Sequence, residues 1–234
     1  MNTQNGKTVI ITGANGNLGS AVTQNFLNKG YTVIATVINE EARKEFSPNE
    51  KLFVEVVNLS NEAEAELFLQ NAFDTYQKID AALLLVGGFA MGSVATTKTE
   101  DIKKQITLNF ETAYNVARPL YAHMLENNSG RLFFIGARPS LQPADGKNLV
   151  AYSLSKSLLF KLAEYLNEEA KGKNVTATVV VPSTLDTALN RKNKPEANPD
   201  NWVKPEALAE ILEFAVSEKG APLREAVLKV YNNA

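Results

Sequence analysis

The chain has 234 residues, 44% of them hydrophobic and 21% charged, an ordinary composition for one large α/β domain with a full core. A net charge of −2 gives no electrostatic footprint for nucleic acid; no apolar run approaches a membrane span, and the start lacks a basic segment followed by an apolar one, so a cytoplasmic protein with no membrane partner is expected. No cysteine and a single histidine, His123 at a helix end in "RPLYAHMLENN", exclude disulfides, a cysteine nucleophile and thiolate or multi-histidine metal sites.

The apolar pattern alternates between short β-rich runs and longer helical ones. "TVIIT" at 8–12 reads as a buried strand, and a glycine-rich turn follows it. Leu18, Val22, Phe26 and Leu27 then recur at helical spacing until Gly30. Next come a strand at 31–37, a charged helix from about Asn39, a strand at 52–57, a helix at 61–77 and a strand at 81–86. A long helical tract over 98–127 is predicted to kink or break at Pro119. A strand at 131–136, a helix at 149–171 and a strand at 175–181 lead into a long polar loop at 183–203, expected to be functional or mobile. A helix at 205–218 and a strand at 226–231 close the chain. Strands alternating with helices imply a Rossmann-type doubly wound parallel sheet covered on both faces, and no linker-like segment divides it.

Two local patterns carry chemistry. "VIITGANGNLGSAV" sets Gly13, Gly16 and Gly19 between the first strand and the first helix. Gly13 permits a tight turn, Gly16 lets backbone approach a pyrophosphate, Gly19 allows close helix–sheet packing, and the helix N-terminus offers N–H groups to the anion. NADH or NADPH is therefore the expected cofactor. A carboxylate at the end of the second strand would favour NAD by binding the adenosine 2′-hydroxyl, but Val37 stands there; Arg43 and Lys44 either meet a 2′-phosphate or simply decorate a solvated helix. The second pattern is "AYSLSK", where Tyr152 and Lys156 share one helix face at i, i+4 spacing and reach a common ligand.

With the turn at 12–19 and "YSLSK" at 152–156, the chain resembles the short-chain dehydrogenase/reductase family over nearly its whole length. The resemblance implies that Tyr152 is the proton donor in reduction. It implies that Lys156 binds the nicotinamide ribose and lowers the tyrosine pKa, and that Asn109 in "ITLNFETAYNVA" holds a water in the proton relay. It further assigns Gly13, Asn15, Gly16, Asn17, Leu18 and Gly19 to the pyrophosphate turn and Asn58–Leu59 to the adenine. Gly87 and Gly88 follow the fourth strand, and Pro182, Thr184, Leu185 and Thr187 form the loop that meets the nicotinamide. A homodimer through the two long helices, 98–127 and 149–171, is implied in the same way.

The departures from the family pattern share a direction. Asn17 occupies the usual second glycine, "LLVG" replaces the common Asn-Asn-Ala-Gly, and Ala137 stands where a serine normally binds the substrate carbonyl. Ser140 is three residues too far on to match it. Together with "IDAALLLVGGFAMG" and "VPSTLDTALNRKNKPEANPDNW", these features resemble the dihydropteridine reductases, except that Val37 replaces that group's aspartate. The resemblance implies hydride transfer to a quinonoid dihydropterin, a small-molecule substrate whose ring is already electrophilic. Phe89 and Trp202 are candidates to stack on such a flat ring, with Ala137, Arg138, Ser140 and Arg191 as further pocket candidates. Two other readings stay open: reduction of another carbonyl or quinone, and a non-catalytic NAD(P)-binding sensor.

Overall fold

A computed structural model describes residues 6–233; residues 1–5, part of the segment in which a leader was sought, and residue 234 lie outside it. Seven strands, β1 (Thr8–Thr12), β2 (Thr32–Val37), β3 (Leu52–Val56), β4 (Ala81–Leu84), β5 (Gly130–Ile135), β6 (Val175–Pro182) and β7 (Val227–Val230), form one sheet in the order β3-β2-β1-β4-β5-β6-β7. Every neighbouring pair is parallel. The helices are α1 (Asn17–Asn28), α2 (Glu40–Arg43), α3 (Glu62–Tyr76), α4 (Thr99–Ile106), α5 (Thr112–Glu126), α6 (Pro143–Gly146), α7 (Val150–Glu169), α8 (Ala188–Asn193) and α9 (Pro205–Val216).

Successive strand residues point to opposite faces, and both faces here are apolar. Val9, Ile11, Val33 and Phe133 pack with Val22 and Phe26 of α1 and Leu208 and Leu212 of α9. Ile10, Ile34, Leu132 and Phe134 pack with Leu69 of α3, Leu120 of α5 and Leu159 of α7. Burial on two faces explains why β1 reads as an uninterrupted apolar run rather than an alternating one. Strand order reverses at β1 and β4, so a crevice opens beyond their C-terminal ends, the place where open α/β sheets bind ligands.

Three elements differ from the sequence expectation. β4 stops at Leu84 because the N–H groups of Leu85 and Val86 turn to the Thr12 hydroxyl, at 3.0 and 3.4 Å. Pro119 lies inside α5 without ending it, and the irregularity of the long tract is instead a π turn at Thr107–Glu111. The 183–203 segment is less irregular than its composition suggests. It carries α8 and a short 3₁₀ turn at Pro199–Asn201, and a parallel bridge between Leu185 and Val203 closes its base.

Candidate functional site

The glycine turn is built by backbone geometry. Gly13 has φ of 62°, a left-handed conformation that side chains resist, and the Gly16 N–H donates to the Gly13 carbonyl at 3.0 Å to close the turn. A Cβ on Gly19 would lie 2.1 Å from the Gly13 carbonyl oxygen and 2.9 Å from Ala14 backbone atoms, so α1 packs on the turn with no space for a side chain. Gly16 caps α1 without a side-chain hydrogen bond, leaving the first-turn N–H groups of Asn17, Leu18 and Gly19 for an anion. The Leu18 side chain is in the core, so its contribution is its backbone.

From this turn a cavity of about 670 Å³ runs past the ends of β2, β3 and β4 to α4; Asn15, Asn58, Leu59 and Gly87 line it. The Asn58–Leu59 step is held from behind. The Asn58 N–H donates to Glu64 at 3.1 Å, and the Leu59 carbonyl accepts from Asn115 at 3.0 Å. A glycine cradle, uncapped N–H groups and an elongated cavity fit an adenine dinucleotide. Val37 lines the cavity, whereas Arg43 and Lys44 do not; Arg43 pairs with Glu40 at 3.5 Å on a solvated helix.

Next to Gly87, α7 carries Lys156, with Tyr152 one turn before it. Lys156 is 4% exposed and its Nζ donates to the Ile135 carbonyl at 2.8 Å. A Cβ on Gly87 would come within 2.8 Å of that Nζ and 2.7 Å of the Asn109 side-chain oxygen, so the missing side chain keeps this corner open. Asn109, in the π turn, is fully buried. Its Oδ1 accepts from the Gly88 N–H at 2.9 Å; its Nδ2 lies within reach of the Gly88 carbonyl (3.1 Å), Gln105 Oε1 (2.9 Å) and Ser155 Oγ (3.1 Å). These bonds anchor the π turn to the Gly87–Gly88 corner and to α7.

The electrostatics depart from expectation at one point. Burial pushes the Tyr152 phenol up to about 12 and brings the Lys156 ammonium down from 10.5 to about 8. The shift of Tyr152 is upward and its cause is burial, not the downward pull expected of Lys156, whose Nζ donates to the Ile135 carbonyl. Between pH 8 and 10.5 the folded protein therefore binds fewer protons at Lys156 than the unfolded chain does, and the contribution of this group to stability rises with pH across that window. Below it, keeping the buried ammonium charged costs on the order of 3 kcal/mol. Lys156→Met, which also forfeits the bond to Ile135, is expected to raise stability by about 1–2 kcal/mol at pH 7, a gain that vanishes by about pH 10. Thermal melts at the two pH values check this, and a variant less stable at pH 7 contradicts it.

The substrate candidates separate clearly. Ala137, 5% exposed, follows β5 and brings no hydroxyl. Ser140 does not replace one: its Oγ donates to the Ser153 carbonyl at 2.9 Å. Arg138 is held by Asp145 at 3.0 Å and lies over the Tyr231 ring, and Arg191 makes a two-point pair with Asp186 at 2.6 and 2.8 Å. Both guanidinium groups are thus engaged within the chain. Trp202 is 5% exposed and belongs to the core, so it is not available to stack on a ring. Phe89 is 62% exposed and stands edge-on to Tyr152, with ring centroids 5.2 Å apart.

In the loop after β6, Pro182 ends the strand and Leu185 joins the bridge to Val203. The Thr184 hydroxyl accepts from Lys194 at 3.1 Å, and the Thr187 hydroxyl accepts from the Asn190 N–H at 3.2 Å to cap α8. Sequence reasoning missed Thr12, Gln105 and Ser155. A signal existed for two of them, since Gln105 lies four residues before Asn109 on a helical tract and Ser155 directly precedes Lys156.

A parallel sheet with its crevice at the strand-order reversal, a glycine turn into α1 and a Tyr–Lys pair one turn apart on α7 define the class of nucleotide-binding oxidoreductase folds. The family model described as short chain dehydrogenase matches residues 7–198, and the chain belongs to that family. It is 28% identical over 194 residues to an acetoacetyl-CoA reductase of Acinetobacter sp. (strain RA3849), covering 78% of this chain and 76% of the relative. It is 25% identical over 228 residues to a dihydropteridine reductase of Dictyostelium discoideum, covering 95% and 94%. Among solved structures, NAD+-bound xylitol dehydrogenase superposes with a TM-score of 0.88 at 18% identity, over 99% of this chain and 100% of that one. Among the described residues no helix is long and apolar enough to cross a membrane.

Proposed function

We propose that the chain is an NADH- or NADPH-dependent reductase of a quinonoid dihydropterin or a closely similar flat ring. The observation that carries this reading is the buried Ala137, two residues after the Ile135 carbonyl that accepts from Lys156, with the Ser140 hydroxyl committed to Ser153. An isolated ketone needs a hydroxyl at that place to polarise it, whereas a quinonoid ring is already electrophilic. The likeness to a dihydropteridine reductase over nearly the whole of both chains supports the same substrate class.

The glycine turn and Gly87–Gly88 would hold a reduced nicotinamide dinucleotide, which when bound would supply the hydride. Tyr152 Oη supplies the proton, and burial keeps that phenol protonated throughout the neutral range. The Lys156 ammonium faces the open corner at Gly87, where it holds the nicotinamide ribose. Asn109 positions that corner through its bonds to Gly88, and holds the relay water beside it. Phe89 flanks the flat ring beside Tyr152.

Ala137→Ser tests the role given to the missing hydroxyl. Quinonoid turnover is expected to change by less than about threefold, while reduction of a simple ketone rises about tenfold with the new hydrogen bond. A strong rise with the quinonoid substrate overturns the reading. Reduction of another carbonyl, favoured by the 28% identity to an acetoacetyl-CoA reductase, then becomes the better one.

We also propose pairing of two copies through the α4–α5 tract and α7, where Leu154, Leu158 and Tyr165 are exposed along one helix. Sedimentation at micromolar concentration is expected to give twice the chain mass, and a monomer at that concentration contradicts the pairing.

A further inference from the structure

The large cavity has only two charged side chains in its lining, Lys103 and Lys104 of α4. Among the described residues neither ammonium has an ion-pair or hydrogen-bond partner. Glu100 stands one turn before Lys104, at a spacing that favours an ion pair, yet none forms. The other sides of the cavity hold no opposing charge. At the end of β2, Thr36, Val37 and Ile38 line it where a reader of the adenosine 2′-hydroxyl would place a carboxylate. Two acids of neighbouring elements have partners of their own: Glu40 pairs with Arg43, and Glu64 binds Asn58 and Asn61. Asn39, next along, caps α2 through the Ala42 N–H.

We infer that Lys103 and Lys104 bind the 2′-phosphate of the cofactor and make the chain prefer NADPH. This rests on the dinucleotide reading of the crevice and goes beyond it. The pyrophosphate, which both cofactors share, is served by the uncapped N-terminus of α1. The lysines are therefore left for the one anionic group that distinguishes the cofactors, and they act from α4, an element to which the sequence assigned no cofactor residue. Two mobile ammonium groups bind as point charges and need no rigid fork.

Calorimetric titration of the wild-type protein and the K103Q/K104Q variant with NADPH, NADH, adenosine 2′,5′-bisphosphate and 5′-AMP tests the assignment. The wild type is expected to bind NADPH at least about tenfold tighter than NADH, and the bisphosphate about tenfold tighter than 5′-AMP. In K103Q/K104Q both differences disappear while NADH affinity holds within about twofold. K103R/K104R, which keeps the charge, retains the preference. Equal loss of both dinucleotides in the glutamine variant overturns the inference by assigning the lysines to the pyrophosphate. Unchanged affinities, or a wild type without preference, overturn it as well. A wild type that binds neither dinucleotide overturns the crevice reading itself, and that result is distinct from binding both equally.

Discussion

Tyr152→Phe is expected to lower kcat for reduction by about 10²- to 10⁴-fold while cofactor affinity changes by less than about twofold. The separation follows from where the phenol lies. Tyr152 lies in the first turn of α7 with its ring against Phe89 and outside the lining of the cavity, while the groups proposed to hold the dinucleotide, the glycine turn, the Asn58–Leu59 step and the Gly87 corner, line it. Phenylalanine keeps the ring and its contact with Phe89, so what is lost is the proton at Oη. The phenol rests at about 12, which means the donor is fully loaded at neutral pH and the variant cannot be mimicked by a modest change of pH. Full turnover by Tyr152→Phe, measured as cofactor oxidation with the affinity determined separately, sinks the proton-donor role. A variant that loses cofactor binding in step with turnover shows instead that the hydroxyl serves to hold the cofactor.

The second large effect is expected at Gly19. A methyl group there would lie 2.1 Å from the Gly13 carbonyl oxygen, with Ala14 backbone atoms at 2.9 Å. Every atom it meets is main chain, so no rotamer change relieves the overlap and α1 has to move off the turn. Gly19→Ala is expected to cost about 3 kcal/mol of stability and to weaken dinucleotide binding by more than about tenfold. Denaturant melts and cofactor titration read the two consequences separately. Gly16→Ala makes the contrast: its nearest neighbour, the Gly13 oxygen, is at 3.3 Å, so a much smaller loss of stability is expected. Equal stability of Gly19→Ala and the wild type contradicts the packing described for this turn.

Much of the fold was legible because of the sheet's two-sided burial. A strand covered on both faces is written as an unbroken apolar run, and "TVIIT", "YTVIATV" and "RLFFIG" each mark a strand to within about a residue. The glycine turn was legible because its residues are fixed by backbone conformation, which a sequence states directly. The π turn was not. Proline is the visible helix breaker, but here the widened turn lies around Asn109, whose amide is tied to Gly88 and Ser155 from distant parts of the chain. α8 was equally hidden, since "ALNRKN" is short and polar and carries no apolar period.

The candidate site divides along the same line. Positions within one element, such as Tyr152 and Lys156, were placed by helical spacing alone. Candidates whose availability depends on tertiary partners fared differently. Arg138 and Arg191 each turn to a carboxylate of their own chain, Ser140 to a carbonyl, and Trp202 into the core. Lys103 and Lys104 show the converse, because lysines on a helix read as solvated until the fold sets them against a cavity.

The central claim is reduction of a quinonoid ring, and its most direct test is steady-state oxidation of NADPH and NADH with quinonoid dihydropterin, simple quinones and simple ketones. The expected result is a kcat/KM for the quinonoid dihydropterin at least about 10²-fold above that for any ketone, a margin of about 3 kcal/mol in transition-state stabilisation. Ketone reduction equal to or faster than quinonoid reduction would contradict it.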